Sequence, residues 1–492
     1  MITVVILIIV AGISISQISG DGLVNRTLSA REQAEIQGEK ETIQAAVVNA
    51  KGRNRYGKLT KNELQEELGE NEAAEVIENA NGLIVHLIKS NRYYTVTNSG
   101  KVNQMEILKV GEKATEEIRY YKIDDELIEI PKGFAVSNIN GEYESIDNGI
   151  VIYEIPNNIT TNSKDFWTET VTLNGVTCPK VQTEYNQFVW VPVETAYVTA
   201  EKITKIINNN SSVTNNQQAI NYIIENENKY PMAVKLSDGN YRGILYSFAE
   251  ENNIVNISTL QFSIDPSESY DVNVTGYKTY YREPGMVNSD YTKNGDETGL
   301  LYNTIGLTQT SIQAEYNAMV ESVSENKGFY ISRYRLSGDT NAESKRGKAM
   351  ATNSKQPHKY WYGLYDFSQK MYSNETYEIQ SMMITGSQYD QIMIWMKDLK
   401  NTSDTSTYYI FNSTNMRGNR FYTGESEEYK TKQIFDVSNQ SDFIWTSEAY
   451  SYARVVRNYD ADDNRQAIYR YNLVSPTNAD GGKTTFATLY IK

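Results

Sequence analysis

The sequence predicts an α+β fold: a long N-terminal helix with a small antiparallel sheet, then a larger strand-rich region. Three observations carry that reading. Residues 1–20, MITVVILIIVAGISISQISG, hold no charge and lead into a stretch whose apolar residues recur at helical spacing. From Pro131 onward, short runs rich in Tyr, Val and Ile alternate with turns containing Asn and Gly. The chain has 492 residues, 39% of them hydrophobic and 22% charged, which suffices for two or three domains with packed cores.

The elements follow in order. ITVVILIIVAGI (2–13) is almost continuously apolar, and Ile2, Val4, Val5, Ile6, Leu7, Ile8, Ile9, Val10 and Ile13 are candidates for packing in a membrane or a helix bundle. No basic region stands ahead of this run, as a secretory signal requires, so the segment is expected to stay in the mature protein. It is short for a full span, which takes about 20 residues. Gly20-Asp21-Gly22 is the expected weak point, because a Gly costs a helix interior about 1 kcal/mol. Residues 23–50 then read as an amphipathic helix carrying Leu28, Ile36, Ile43, Ala46, Val47 and Ala50, with Gly52 and Gly57 in the break beyond. Thr60-Lys61-Asn62-Glu63 has the form of a capping box and opens a short helix with Leu64 and Leu68. GLIVHLIKSNRYYTVTNSGKV (82–102) reads as strand, turn at Asn91-Arg92, strand, turn at Asn98-Ser99-Gly100, strand.

The expected organisation is an apolar segment (1–22), an amphipathic helix with a small sheet (23–110), a strand-rich connector (111–130) and a large C-terminal domain (131–492). Residues 195–325, rich in Asn, Tyr and Thr, read as a long insertion in that domain. Outside that insertion, Phe188 and Trp190, and later Phe443 and Trp445, stand two apart on one face of a strand and are assigned to the core. Gln388, Ile392 and Trp395 fall at helical spacing.

Composition narrows the function. A formal net charge of -15 argues against nucleic acid as a partner, since phosphate binding needs clustered Lys and Arg. Cys178 is the one cysteine, so neither an internal disulfide nor a Cys-rich zinc site can form. With only His86 and His358, histidine metal centres and Ser-His-Asp triads are nearly excluded. No cofactor and no metal are expected. Thirty-eight tyrosines among abundant Asn and Ser favour contact surfaces, where rigid amphipathic rings combine with adaptable hydrogen bonding.

The apolar run passing into an amphipathic helix and a small sheet resembles the start of type IV pilins and pseudopilins. That resemblance implies a helix that anchors in the membrane before assembly and packs with copies of itself or other pilin-like subunits afterwards. An uncharged helix loses little on that transfer, because lipid and bundle are both apolar. The chain departs from the pattern at Val5, where pilins usually carry a Glu.

The C-terminal region carries four spaced phrases: QFVWVPVE (187–194), KGFYISRYRLS (327–337), MITGSQYDQIMIWM (383–396) and IFDVSNQSDFIWTSEAYSYARVVRNYD (434–460), followed by the closing TTFATLYIK (484–492). In order and spacing they are similar to the formylglycine-generating enzymes, or sulfatase-modifying factors, whose fold is related to C-type lectins. The oxidases of that family use paired cysteines with copper. This chain has only Cys178, outside the matching phrases, so the resemblance implies the lectin-like fold without the oxidase chemistry.

In lectin-like folds the ligand face is built by loops near the C-terminus. Here these hold Tyr450, Tyr452, Tyr459, Tyr469 and Tyr471, with Asp460, Asp462 and Asn464 among them. The rings either stack on a ligand or pave an antiparallel sheet. Asp460, Asp462 and Asn464 alternate as calcium ligands do, but Arg465 and Tyr471 occupy the positions where a calcium loop needs Gly and Glu, so a solvated acidic loop is the reading. His358 is expected on the surface and Cys178 packed or at the surface. The resemblances together imply a bacterial envelope protein, anchored or in an extracellular filament, that binds a surface glycan or protein without catalysis. A filament subunit with a purely decorative C-terminal domain, or a degenerate sulfatase-modifying enzyme, are the alternatives.

Overall fold

The computed structural model describes residues 21–53, 59–69, 73–79, 82–124, 126–161, 163–193, 200–215, 218, 219, 222, 226, 234, 235, 241, 242, 247–250, 253–256, 305–352, 358, 360–373, 378–396, 430–436, 444–450, 453–457, 470–474 and 483–492. The apolar candidates from Ile2 to Ile13 and the ligand-face candidates Tyr452, Tyr459, Asp460, Asp462, Asn464 and Tyr469 lie outside these residues. The chain divides into two compact units, Met1–Glu106 and Ile107–Lys492.

In the first unit, helix α1 (Asp21–Arg53) buries Ile43, Ala46, Val47 and Ala50, the stripe expected from its spacing. Gly22 lies inside its first turn and Gly52 inside its last. Helix α2 (Lys61–Leu68) is opened by the expected capping box: the Glu63 N–H donates to Thr60 Oγ1, and the Thr60 N–H donates to the Glu63 carboxylate. Strands β1 (Ala74–Asn79), β2 (Gly82–Leu87), β3 (Arg92–Thr97) and β4 (Val102–Met105) form an antiparallel sheet in sequence order. Its turns use Asn91 at φ 53° and Gly100 at φ 92°, the left-handed region that Asn tolerates and Gly favours. Ala74, Val76, Leu83, Val85, Tyr94 and Val96 cover the α1 stripe together with Leu64. Arg92 on β3 reaches back to Glu39 of α1 at 3.1 Å, and the Tyr94 hydroxyl donates to the same carboxylate. Replacing Thr60 with Ala is expected to cost about 1 kcal/mol. Hydrogen exchange should speed up locally at the Glu63 and Leu64 amides while β2 and β3 keep their protection.

The second unit is built on a six-stranded antiparallel sheet. After a small sheet of β5 (Ile107–Leu108), β6 (Tyr120–Ile123) and β7 (Glu126–Glu129) come β8 (Phe134–Val136) and β9 (Ile150–Glu154). Helix α3 (Lys164–Thr168), the hairpin β10 (Thr170–Leu173) and β11 (Val176–Pro179), and helix α4 (Val181–Glu184) lead into β12 (Gln187–Pro192). Helix α5 (Ala200–Asn209) and two hairpins follow, β13 (Val234–Lys235) with β14 (Tyr241–Arg242) and β15 (Ser247–Glu250) with β16 (Asn253–Asn256). Helix α6 (Gln309–Asn326), β17 (Gly328–Ser332), α7 (Tyr360–Lys370), β18 (Ile379–Met383) and α8 (Gly386–Met396) complete the middle of the unit. The chain ends with the hairpin β19 (Lys430–Thr431) and β20 (Ile434–Phe435), the strands β21 (Ile444–Tyr450), β22 (Ala453–Arg457) and β23 (Arg470–Val474), and β24 (Ala487–Ile491). The main sheet runs β18-β24-β17-β12-β9-β8, so the last strand of the chain is an interior strand.

Both faces of this sheet are covered, which explains why its strands read as continuous apolar runs rather than alternating ones. Val151, Tyr153, Val189, Val191, Phe329 and Ile331 pack on one side with Tyr316, Met319 and Val323 of α6 and Tyr389, Ile392 and Trp395 of α8. Ile150, Ile152, Phe188, Trp190, Tyr330 and Leu489 pack on the other with Leu108, Tyr121, Ile123 and Ile128. Phe188 and Trp190 are thus core residues on one face, as their spacing predicts. Residues 111–130, read from the sequence as a connector, contribute side chains to this core, and α6, at the end of the expected insertion, is a core helix. Gly328 opens β17 where Trp190 crosses it; a Cβ there would stand 2.2 Å from the indole ring.

Candidate functional site

The region expected to carry the ligand face contains a three-stranded antiparallel sheet in the order β21-β22-β23. Its register shifts between Trp445 and Ala449 and again between Val455 and Val456, the irregularities that bend a strand edge. Of the eight ligand-face candidates, Tyr450 closes β21 opposite Ala453, and Tyr471 lies in β23 opposite Val456.

Beneath this sheet the buried residues are unusually polar. Trp445, Thr446, Ser447, Glu448, Arg454 and Val456 are all nearly inaccessible. Trp361 of α7 joins them: its Nε1–H donates to the Thr446 carbonyl at 2.9 Å, and the Arg454 guanidinium lies 3.8 Å above its ring. That stacking satisfies the flat face of a guanidinium that water cannot reach. The Glu448 carboxylate accepts from Thr446 Oγ1 at 2.9 Å and occupies the space where Gly386 lacks a side chain, since a Cβ there would meet Glu448 Cδ at 2.1 Å. This sets the carboxylate at the start of α8, where unpaired backbone N–H groups and the helix dipole favour negative charge. Gly386 is required at this position by that close approach.

Helix α7 links this cluster to α6. Tyr365 stacks on Trp361 with ring centres 4.8 Å apart, and its hydroxyl donates to the Glu315 carboxylate at 2.8 Å. Burial pushes the Glu315 carboxyl up to about 7, against the pull of the Tyr365 hydrogen bond. Burial and the neighbouring Glu315 raise the Tyr365 phenol well above its ordinary range, so it is a hydrogen-bond donor throughout the physiological range.

A second buried constellation centres on Glu142 and Arg333, which pair at 2.7 Å. Glu142 also accepts from Ser137 Oγ, Tyr153 Oη and Gln182 Nε2 at 2.7, 2.9 and 2.8 Å. Arg333 donates to Gln187 Oε1, to the Gln433 carbonyl and to Gln433 Oε1. Although burial opposes its charge, Glu142 raises the Arg333 pKa further above its ordinary value, so the guanidinium stays protonated. This network ties β9, β12 and the end of β17 to the β19–β20 hairpin, whose Phe435 stacks on Tyr334. Every polar partner here is another side chain or a backbone group of the core, which marks the network as a structural clamp.

Cys178 is buried in β11. His358, expected at the surface, is only 3% exposed. Its Nε2–H donates to the Gly338 carbonyl at 2.8 Å and its ring lies 4.0 Å from Phe367, while Gly363 lets the first turn of α7 close against the His358 backbone. Burial lowers the imidazole pKa, holding it neutral. Among the described residues no group of three or more His, Cys, Asp or Glu side chains is placed to hold a metal ion, and no helix is long and apolar enough to cross a membrane.

Sequence reasoning did not single out Glu142, Arg333, Trp361, Glu315, Glu448 or Arg454. The signal was present for two of them: Arg333 interrupts the apolar run GFYISRYRL, and Arg454 interrupts ARVV. A charge inside an otherwise buried strand requires a partner. What the geometry defines is a mixed α+β chain in which antiparallel sheets are joined through buried polar clamps. No family model, no curated protein and no solved structure matches the chain.

Proposed function

We propose that this chain is a subunit displayed on a bacterial envelope, in which a pilin-like N-terminal segment carries a non-catalytic, lectin-like binding domain for adhesion or recognition. The observation that supports it best is the first unit: a 33-residue helix laid on a four-stranded antiparallel sheet, preceded in the sequence by twenty uncharged residues. The second unit agrees with a binding role. Its terminal sheet is fixed from below by Trp361, Glu448 and Arg454, and the sequence between its strands is rich in Tyr, Asn and Asp. Rigid support under adaptable aromatic loops is how recognition surfaces limit the entropy cost of binding.

Two variants of the full chain test this in a bacterial host that assembles surface filaments. Deleting residues 2–19 should move the protein from the envelope or filament fraction to the soluble fraction. Replacing Tyr459, Tyr469 and Tyr471 together with Ala should reduce adhesion to cells or to a glycan array by about tenfold or more, with the melting temperature within a few degrees of the parent. A deletion variant that still fractionates with the envelope, or a folded triple variant that adheres normally, overturns the reading.

A further inference from the structure

We propose that helix α7 is a pH-responsive strut that controls how firmly the β21–β22 pair is held. The inference builds on the binding role proposed above, because β21 and β22 carry the loops assigned to the ligand. A continuous set of contacts runs from one carboxyl group to that sheet. Glu315 of α6 accepts from Tyr365, Tyr365 stacks on Trp361, and Trp361 both donates to the Thr446 carbonyl of β21 and lies under Arg454 of β22. Every link after Glu315 is buried.

The groups facing Glu315 from neighbouring elements are Tyr365 and Gln369 of α7 and Tyr490 of β24, and Arg454 of β22 acts on Tyr365. None of these places a cation beside the carboxylate. The Tyr365 hydroxyl and the Gln369 side chain both stabilise the ionised carboxylate, but burial outweighs them, and the folded form favours the protonated acid. The sign follows. A carboxyl whose folded pKa is raised to about 7 contributes stability that is complete below its unfolded value and lost as pH rises through neutrality. Once charged, Glu315 keeps its hydrogen bond from Tyr365 but favours openings that admit water to the carboxylate, and such openings shift Tyr365 and loosen the Trp361 platform. His358, at the other end of α7, faces the Gly338 carbonyl, Asp339 and the Phe367 ring. Burial lowers its pKa and so opposes its protonation, whereas the change near neutrality is assigned to Glu315.

The test is hydrogen exchange on the full-length protein, corrected for intrinsic rates, from about pH 5.5 to about pH 8.5. Protection of the β21 and β22 amides should fall by about tenfold across neutrality, the effect of one pKa unit of linkage. Glu315→Gln should hold protection high and flat. Tyr365→Phe, which removes the hydroxyl and preserves the ring stack, should move the midpoint upward. A parent protein without the decline, or Glu315→Gln showing the same decline as the parent, overturns the proposal, and so does a midpoint unchanged in Tyr365→Phe. These readouts need no ligand, so their failure is separate from a failure of the adhesion assay.

Discussion

Replacing Arg333 with Met is expected to destabilise the second unit by about 3–5 kcal/mol, because it leaves Glu142 charged and buried without its cation. All five tryptophans, at positions 167, 190, 361, 395 and 445, lie in this unit, so denaturant unfolding followed by tryptophan fluorescence reports it directly. Glu142 still has three donors in the variant, Ser137, Tyr153 and Gln182. They moderate the loss but do not supply the missing charge. Adding Glu142→Gln should recover part of the stability, since a neutral amide no longer needs the guanidinium. Equal losses in the single and double variants would show that the Arg333 contacts to Gln187 and Gln433, rather than the ion pair, hold the clamp.

Replacing Trp361 with Ala should cost a similar amount, about 3–5 kcal/mol, from lost burial and the cavity left behind. Two further effects add to it. The Thr446 carbonyl loses its donor, and the Arg454 guanidinium loses the ring that covers it. Trp361→Phe separates these contributions. It keeps an aromatic face for Arg454 and removes the N–H that reaches Thr446, so the loss should fall to about 1–3 kcal/mol, the cost of losing one buried hydrogen bond. Hydrogen exchange should locate the change in β21 and β22. A uniform loss of protection over the whole second unit in Trp361→Phe would contradict a local supporting role.

Much of the local structure was legible in the chain itself. The α1 stripe of Ile43, Ala46, Val47 and Ala50, the Thr60 capping box, and the turns at Asn91 and Gly100 follow from interactions between residues close in sequence. Strand β1 was not foreseen. Its pattern, AEVIEN, is short and mixed, and it becomes a strand only because β2 lies alongside to accept its hydrogen bonds. The same holds for residues 107–130. Their apolar side chains look like those of any strand-rich connector until Leu108, Tyr121, Ile123 and Ile128 meet the face of the main sheet.

The candidate site divides along the same line. Its aromatic and polar composition was visible as sequence, and the strands Ile444–Tyr450 and Ala453–Arg457 place part of it on a sheet. Its supports were not visible. Arg333 reaches Gln187 across 146 residues, and Trp361 reaches Thr446 across 85. His358, polar and beside a proline, reads as exposed and is buried because Gly338 offers a carbonyl and Gly363 offers room.

By itself, then, the sequence determined helices α1, α2 and α8, the Thr60 cap, the turns of the first sheet, the apolar runs of the core strands and the absence of an internal disulfide, since each depends on near neighbours or on inventory alone. Helix α7, whose stretch YWYGLYDF reads as a loop, is a helix that only its packing against the core decided. Only the tertiary structure decided which charges are buried, what each is paired with, and that the last strand sits inside the main sheet between β18 and β17. Those outcomes depend on groups far apart along the chain. Burying a charge is unfavourable until the fold supplies its partner.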